Sequence, residues 1–277
     1  MKKKLAKMLA LTLVMGMTLT ACGNGGESNN DADANADGDG EQTALVYAVE
    51  AGSAGEAAAQ ENGFAYNSVA SQADALMEVA SGTSDAAIID LLMAGAMIGE
   101  NTSYPDMVYT DELTTEEYGV GCRKGSDLAS YINAVFAESY ADGTMQQIAT
   151  TYGVQEALLE QTATEFTAAE TDSDVAYIQD KGTLVVGITE FEPMDYKDAS
   201  GNWIGFDADM ARVVAEKLGV EVEFLVIDWD NKIMELDSKN IDVVWNGMTL
   251  TSEVTSAMEC TNAYCNNAQV VVVPSAE

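Results

Sequence analysis

Short apolar runs and longer amphipathic stretches alternate along the chain from residue 45 onward. Runs rich in Val, Ile and Ala, bounded by glycine or polar residues, predict strands. These runs lie at 45–49, 85–90, 107–109, 118–123, 183–188, 220–227, 241–245 and 269–273. Stretches with apolar positions three or four residues apart predict helices. They lie at 56–61, 72–81, 91–98, 128–140, 145–151, 207–218 and 233–236. Alternation of this kind is typical of an α/β fold.

The alternation is interrupted once, which divides the globular part of the chain. Residues 43–110 and 117–153 precede the interruption, and the α/β pattern restarts at 175–277. Residues 154–174 are polar and rich in Thr, Ala and Glu, and we interpret them in part as a linker. A chain of this length can form two modest lobes or one large domain.

The first 22 residues have the features of a secretory signal peptide. A basic start precedes an apolar run at 8–19 that is too short to span a membrane. The sequence Leu19-Thr-Ala-Cys22 resembles the bacterial lipobox, in which the cysteine becomes the lipidated first residue. Residues 23–42 lack large hydrophobic side chains and predict a disordered tether. We therefore expect lipidation of Cys22 and an extracytoplasmic protein anchored to the cell membrane. An ordinary signal peptide with a chance cysteine is the alternative.

The charge of the chain is strongly negative, with 46 acidic side chains against 12 basic ones and a formal net charge of −34. Proteins bind nucleic acids and anionic lipid surfaces through clusters of Lys and Arg. We therefore expect no nucleic-acid partner, and membrane contact only through the lipid anchor. The chain contains no histidine, which is the commonest metal ligand and general base. We expect no metal, no cofactor and no enzymatic activity.

The sequence leaves open whether the cysteines beyond Cys22 form a disulfide or remain reduced. Cys122, Cys260 and Cys265 remain, and outside the cytoplasm Cys260 and Cys265 could form a disulfide across a short loop. Two reduced thiols are the alternative. The spacing is not that of a zinc site.

Several segments together resemble the extracellular solute-binding proteins of family 3, which deliver amino acids and related solutes to ABC importers. The segments are Glu50-Ala-Gly-Ser-Ala-Gly55, Asp85-Ala-Ala-Ile-Ile-Asp90, Glu117-Tyr-Gly-Val-Gly-Cys-Arg-Lys-Gly125, Lys181-Gly-Thr-Leu-Val-Val-Gly-Ile188, Phe191-Glu-Pro-Met-Asp-Tyr196, Gly205-Phe-Asp-Ala-Asp-Met210 and Asp242-Val-Val-Trp-Asn-Gly-Met-Thr-Leu-Thr251. The resemblance implies a two-lobed α/β type II periplasmic-binding-protein fold that closes on a ligand. It implies an amino acid or amine as ligand and an ABC permease as partner.

The order of these segments departs from that of the family, which runs from lobe one to lobe two and back. Residues 43–110 resemble lobe two and come first. Lobe one is expected at 117–277, in three parts: the closing part (117–153), the linker (154–174) and the opening part (175–277). This order predicts a circularly permuted chain, which is tolerable where the original ends lie close together.

The permuted order carries expectations about the hinge. We expect the strand at 269–273 to pair within lobe one, so that only the segment near 110–117 joins the lobes. The ends of the globular part, at Thr43 and Pro274, are expected close together at the hinge.

The resemblance also implies ligand contacts from both lobes. Lobe one is expected to supply two aromatic walls and a loop that offers backbone and hydroxyl groups. Lobe two is expected to supply a turn at a helix N-terminus, which can meet a carboxylate, and an acid for the ligand ammonium. The residues in this order are Phe191 and Trp229; Asn246, Gly247 and Thr249; Ser53 and Ala54; and Asp90. Glu190 is expected near the mouth, where it could contact the ligand side chain.

Five of these residues have a purely structural alternative. Phe191 and Trp229 could be core residues, and Ser53 with Ala54 could form a plain tight turn. Asp90 follows an apolar run and could instead be a helix N-cap.

One position departs from the family pattern. Val254 stands where an arginine that clamps the ligand carboxylate is expected, and no other Lys or Arg lies in the matched site segments. A carboxylate would then rest on amides and hydroxyls, or the ligand would not be a standard amino acid. With Asp90, Glu190 and Glu50 near the cleft, a cationic solute that is not an amino acid is an alternative. A sensory ligand-binding module is another.

Overall fold

The computed structural model describes residues 44–275. The predicted signal peptide, the lipidation of Cys22 and the predicted tether lie outside these residues. Within 44–275, no helix is both long enough and apolar enough to cross a membrane.

The secondary structure follows the predicted alternation closely. The strands are β1 (Val46–Glu50), β2 (Ala65–Val69), β3 (Ala86–Asp90), β4 (Met107–Glu112), β5 (Glu116–Cys122), β6 (Thr183–Ile188), β7 (Tyr196–Lys197), β8 (Trp203–Ile204), β9 (Glu221–Val226), β10 (Val243–Thr249), β11 (Glu259–Cys260), β12 (Cys265–Asn267) and β13 (Gln269–Pro274). The helices are α1 (Ala54–Glu61), α2 (Gln72–Ser81), α3 (Leu91–Met97), α4 (Leu128–Ala141), α5 (Thr144–Thr151), α6 (Asp174–Lys181), α7 (Phe206–Leu218), α8 (Lys232–Asp237) and α9 (Ser252–Ala257). A 3-10 turn, Trp229–Asn231, precedes α8.

Eleven of the strands form two large sheets, each in its own lobe, and β7 with β8 forms a separate two-stranded sheet. The order β2-β1-β3-β13-β4 makes one sheet, and β11-β5-β10-β6-β9, with β12 also on β5, makes the other. We call the first unit the five-stranded lobe (44–112 and 269–275) and the second the six-stranded lobe (116–267). In both lobes the central pairs β1–β3 and β6–β10 are parallel. This is the two-lobed α/β architecture of the type II periplasmic-binding fold, as the sequence predicts.

The last strand lies in the other lobe from the one that the sequence predicts. β13 pairs antiparallel with β3 and with β4, so it completes the five-stranded sheet. The chain therefore passes between the lobes twice, from Glu112 to Glu116 and from Asn267 to Gln269. The expectation of a single tether near 110–117 is wrong. Because the strand at Gln269 is buried on both faces, its apolar run carries no information about which sheet it joins.

The two ends of the globular part are near each other but far from the hinge. Ala48, Ala87 and Val272 lie side by side on β1, β3 and β13. Val46 and Pro274 therefore lie at one end of this sheet, about 10 Å apart at two strand spacings. The crossings lie at its other end, because Gln269 pairs with Asp90. The expected position of the ends at the hinge is wrong for the described residues.

The polar segment at 154–174 is an ordered extension of the six-stranded lobe. The Asn266 amide donates to the Ala157 carbonyl, and the Leu159 amide donates to the Tyr264 carbonyl, each at 2.8 Å. Near its end, the Asp127 carboxylate accepts from the Ser173 hydroxyl at 2.6 Å. These bonds leave little freedom for a flexible linker.

The cysteines are unbonded in the described part of the chain. Cys260 pairs with Gly121 on β5, and Cys265 pairs with Tyr118 on the same strand. Three residues along a strand correspond to about 10 Å and to opposite faces of the sheet. A disulfide needs Cα atoms within about 7 Å, so the reduced alternative describes this structure.

Candidate functional site

A cavity of about 360 Å³ lies between the two lobes, at the carboxyl ends of their central strands. From the five-stranded lobe it is lined by the end of β1, the start of α1, Gln72 and Asp90. From the six-stranded lobe it is lined by the 3-10 turn, Lys232, the end of β10 and the start of α9. Open α/β sheets place ligands at this edge of their strands.

Most of the residues expected from the sequence meet at this cavity. The seven that line it are Ser53, Ala54, Asp90, Trp229, Asn246, Gly247 and Thr249. They come from five different elements or turns, so their convergence is produced by the fold and not by proximity in sequence. Their contact with a ligand remains a prediction.

Phe191 and Glu190 lie outside the lining of the cavity. Phe191 is 2% exposed and packs edge-on against Tyr118, with ring centroids 6.3 Å apart. A side chain at position 247 would collide with the Phe191 ring, so this ring packs directly beneath Gly247. Glu190 is exposed to solvent. The core alternative therefore describes Phe191, which supports the cavity floor from below.

That floor is a bulge in β10. Between Val244 and Met248 the register of β10 against β5 shifts, and Gly247 adopts a φ of +56°. The Gly247 amide donates to Oδ2 of Asp207 at 2.6 Å. Asn246 exchanges two hydrogen bonds with Thr189, one of them from the Thr189 amide at 3.0 Å. Bulges commonly redirect backbone groups next to a site, and here the Asn246 side chain holds the bulge in place.

Asp90 is held by donors from both lobes. Its carboxylate accepts from the Tyr118 hydroxyl at 2.6 Å and from the side-chain amides of Gln72, Asn267 and Gln269. Burial, followed by the charge of Glu116, raises the pKa of Asp90 to about 7. Asp90 also occupies the N-cap position of α3 without making a capping bond. Its four donors are neutral, so they orient the carboxylate without neutralising its charge.

Glu50 is a second buried acid in the cavity, which the sequence analysis raised only as a neighbour of the cleft. It ends β1 and is 3% exposed. Its Oε1 is buried and has no hydrogen-bond partner among residues 44–275. Burial, with the charge of Asp90 next, raises the pKa of Glu50 to about 8. A buried carboxylate oxygen without a donor is costly. Because Glu50 lines the cavity, a cation bound there would offset its charge.

Lys232 is a basic residue of the cavity that lies outside the segments matched in the sequence. It is 8% exposed and is the one Lys or Arg that lines the cavity in the described part of the chain. Its ammonium donates to the carbonyl of Gly52 at 2.8 Å and to that of Trp229 at 3.2 Å. The first bond crosses from one lobe to the other. The nitrogen lies 5.1 Å from the centre of the Trp229 ring, in cation–π geometry.

The start of α1 forms a capped turn at the edge of the cavity. The Ser53 hydroxyl accepts from the Glu56 amide at 3.1 Å, and the Glu56 carboxylate accepts from the Gly52 amide at 2.8 Å. The amides of Ala54 and Gly55 belong to the first turn and have no acceptor within the helix. Ala54 lines the cavity, so this helix start can receive an anionic group.

Val254 lines the cavity as part of an apolar wall. It is 4% exposed and belongs to a cluster with Trp229, Met248 and Met258. Its position within α9 is set by Thr251, whose hydroxyl accepts from the Val254 amide at 3.2 Å. The wall where the family pattern has an arginine is therefore hydrophobic here.

Comparisons with known proteins match the last third of the chain. Residues 184–277 match the family model of bacterial extracellular solute-binding proteins, family 3. The L-cystine-binding protein TcyJ of Escherichia coli (strain K12) is 36% identical over 77 residues, 27% of this chain and 29% of that protein. The arginine-binding extracellular protein ArtP of Bacillus subtilis (strain 168) is 32% identical over 93 residues, 33% of this chain and 36% of that protein.

A third relative is an enzyme by its name. The cyclohexadienyl dehydratase of Pseudomonas aeruginosa is 29% identical over 83 residues, 30% of this chain and 31% of that protein. In each of these matches the chain spans about a third of the relative's length. The matched segment nevertheless contains the 3-10 turn, α8, the β10 bulge and α9, which form one wall of the cavity. Residues 184–277 are therefore similar to the bacterial extracellular solute-binding proteins of family 3.

Proposed function

We propose that this protein is the substrate-binding lipoprotein of an ABC importer and captures a polar amino acid or a related small amine between its two lobes. The observation that carries the proposal is the inter-lobe cavity, which contains a buried carboxylate oxygen of Glu50 without a partner. An ammonium group of the ligand would supply the missing donor. The second acid, Asp90, adds negative charge behind it.

The relatives support the ligand class. TcyJ is named for L-cystine and ArtP for arginine, and both are solutes with an ammonium and a carboxylate. The partners of the whole protein follow from the same proposal: an ABC permease that accepts the closed lobes, and a lipid anchor at Cys22 that keeps the protein at the outer face of the membrane.

We propose binding and not catalysis. The relative that is named as a dehydratase shows that the question is open for this family. The titratable side chains that line the cavity in this structure are acids and one lysine, and the chain contains no histidine. Lys232 already bonds two carbonyl oxygens, which suits a positioning role better than proton transfer.

A second candidate function is the binding of a cationic solute that is not an amino acid. The cavity is lined by the acids Glu50, Glu61, Asp90 and Glu253 against one lysine, and this excess favours a cation. A solute with several ammonium groups would satisfy it without any carboxylate.

A ligand screen tests both functions. The purified mature protein is heated with each common amino acid and each common polyamine, and positive compounds are measured by calorimetry. A ligand at 100 times its Kd stabilises the folded state by about 2.7 kcal/mol, which gives a clear shift in Tm. Stabilisation by an amino acid supports the first function, and stabilisation by polyamines alone supports the second. No shift with any compound in either class would contradict both.

A further inference from the structure

Lys232 lies where it can contact both the ligand and the opposite lobe. It begins α8 in the six-stranded lobe, and its ammonium reaches the Gly52 carbonyl of the five-stranded lobe. The bonds to Gly52 and Trp229 use two of its three N–H groups. One N–H group remains for a group in the cavity that Lys232 lines.

The Lys232 ammonium and the start of α1 can each attract an anion. Four acids also act on this ammonium and balance part of its charge: Glu253, Glu50, Asp230 and Glu56. Ala54, at the start of α1, lines the same cavity and follows Gly52 by two residues. The first-turn amides of an α-helix lack intrahelical acceptors and favour negative charge. The Lys232 ammonium in the six-stranded lobe and the start of α1 in the five-stranded lobe are therefore two independent sources of positive potential.

The opposite charge is present in the same cavity. Glu50 has an unpartnered buried oxygen, and it lies at the end of β1, just before the Gly52 turn. Because Val254 is apolar and lies in a hydrophobic cluster, it offers no alternative counter-charge for a carboxylate. A volume of about 360 Å³ accommodates a small molecule that carries both charges.

We propose that Lys232 binds the carboxylate of a zwitterionic ligand, together with the N-terminal turn of α1, and thereby selects amino acids over the corresponding amines. This inference rests on the proposed function and deepens it. The same side chain bonds Gly52, so carboxylate binding and contact between the lobes are joined in one residue. A lysine is a point charge and not a planar fork, so it holds one carboxylate oxygen and leaves the other to the helix amides.

Matched pairs of ligands test this assignment. Each pair is an amino acid and the amine that lacks only its carboxylate: L-lysine with cadaverine, L-arginine with agmatine, and L-histidine with histamine. The wild type is expected to bind at least one of these amino acids at least tenfold more tightly than its amine. Lys232→Met is expected to remove that preference by weakening the amino acid at least tenfold, with the affinity for the amine unchanged within threefold.

Two further variants complete the experiment. Lys232→Arg keeps the charge and is expected to retain most of the preference for the amino acid. Lys239→Met removes an exposed lysine beyond the end of α8 and is expected to change neither affinity. Thermal unfolding of each variant without ligand checks that the fold is intact.

The outcomes separate the inference from the proposed function. If Lys232→Met weakens the acid and the amine equally, Lys232 acts only as a contact between the lobes, and the carboxylate assignment is overturned. If the wild type prefers the amines, the assignment is also overturned, although the protein still binds a small amine. If the wild type binds no member of any pair and no compound in the wider screen, the proposed function itself fails.

Discussion

The hydroxyl of Tyr118 donates to Oδ1 of Asp90 over 2.6 Å, which joins a strand of the six-stranded lobe to the end of β3 in the other lobe. Both residues are buried, and Asn267 and Gln269, on either side of the second crossing, donate to the same oxygen. Asp90 is thus a structural acceptor at the hinge as well as part of the cavity wall.

Replacing Asp90 should therefore affect stability. We expect Asp90→Ala to lower the free energy of unfolding by about 2–4 kcal/mol, because each buried donor left unpaired costs about 1–3 kcal/mol. Urea denaturation measures this. The control Asp180→Ala removes an exposed acid on α6 and should change stability by less than about 0.5 kcal/mol. Equal stability of the two variants would show that the Asp90 network is energetically unimportant.

Glu50 should carry most of the binding energy for the ligand ammonium. We expect Glu50→Gln to weaken binding at least tenfold, because a charge-assisted hydrogen bond contributes about 1.5–3 kcal/mol and tenfold is about 1.4 kcal/mol. Calorimetry with the best ligand from the screen measures the loss. Glu223→Gln, which alters an exposed acid on β9, is the matched control. An unchanged Kd for Glu50→Gln would exclude Glu50 from ligand contact.

Ligand affinity should also depend on pH through Glu50. The pKa of Glu50 is raised to about 8, so below that pH the side chain is mostly protonated and must lose its proton to accept an ammonium. Affinity is therefore expected to rise between pH 6 and pH 8, with proton release detectable by calorimetry in buffers of different ionisation enthalpy. The Glu50→Gln variant should show a weaker dependence, which leaves the part due to Asp90, whose pKa is raised to about 7. Equal pH dependence in both proteins would assign it to another group.

The contact between the lobes can be tested at Gly52. Gly52 has a φ of +68°, and a Cβ there would lie 2.7 Å from Oδ1 of Asp230 and 2.8 Å from its Cα. Gly63 has the same φ of +68° with no atom within 4 Å of such a Cβ. Both alanine variants should suffer the same backbone strain, of about 1 kcal/mol.

Only Gly52→Ala should also push the lobes apart. We expect it to weaken ligand binding at least fivefold relative to Gly63→Ala and to increase the radius of gyration measured with ligand by small-angle X-ray scattering. If both variants bind equally well, the contact between Gly52 and Asp230 does not limit closure.

A buried acid pair should make stability depend on pH. Asp195 is fully buried and neither of its carboxylate oxygens has a partner within residues 44–275. Burial, with the charge of Asp207 next, raises the pKa of Asp195 well above its usual range, and burial raises the pKa of Asp207 to about 7. An acid whose pKa is raised on folding binds more protons in the folded state. The free energy of unfolding therefore falls as the pH rises from the pKa of the unfolded state to that of the folded state.

We therefore expect the stability of the protein to decrease from pH 5 to pH 8. Asp195→Asn should flatten the decrease, because the amide carries no charge to desolvate. Glu216→Gln, an exposed acid on α7, should leave the slope unchanged. Urea denaturation at several pH values measures the slope of stability against pH for the wild type and both variants. Equal slopes for the wild type and Asp195→Asn would show that the Asp195–Asp207 pair does not cause the pH dependence.

The proposal of a circularly permuted order predicts that the family order also folds. In that order, residues 171–275 would be followed by a short glycine-rich linker and then by 44–170. The linker joins Pro274 to Val46 across about two strand spacings, or roughly 10 Å. The new ends, at 170 and 171, are exposed. We expect the same ligand affinity within threefold and a similar Tm. Failure of the reordered chain to fold would contradict the proposal.

Local pattern was sufficient for most elements and for the fold class. The apolar run at Thr183–Ile188 and the capped start of α2 at Ser71 are both where the sequence predicts them. The strand at Ala65–Val69 was missed, because it is an edge strand with mostly exposed side chains and no apolar alternation. The elements that were predicted and the strand that was missed are both explained by the hydrophobic and polar pattern of neighbouring residues.

The candidate site was predicted in part. Motif resemblance identified Asp90 and Trp229, which line the cavity, but it did not identify Lys232. That lysine is separated from the Gly52 turn by 180 positions in the sequence, and no periodicity relates them. For Phe191 the sequence predicted a ligand contact, whereas its ring packs in the core beneath Gly247. Only the tertiary packing shows this.

The sequence by itself determined the alternation of strands and helices, the negative charge and the resemblance of the last third of the chain to the solute-binding proteins of family 3, because these depend on composition and local order. Tertiary structure decided which sheet receives β13, where the two crossings run and which charges face one another in the cavity. The physical reason is that a doubly buried strand such as Gln269–Pro274 fits any sheet by its composition. Partner strands, and buried groups such as Glu50 and Lys232, are selected only when distant segments pack.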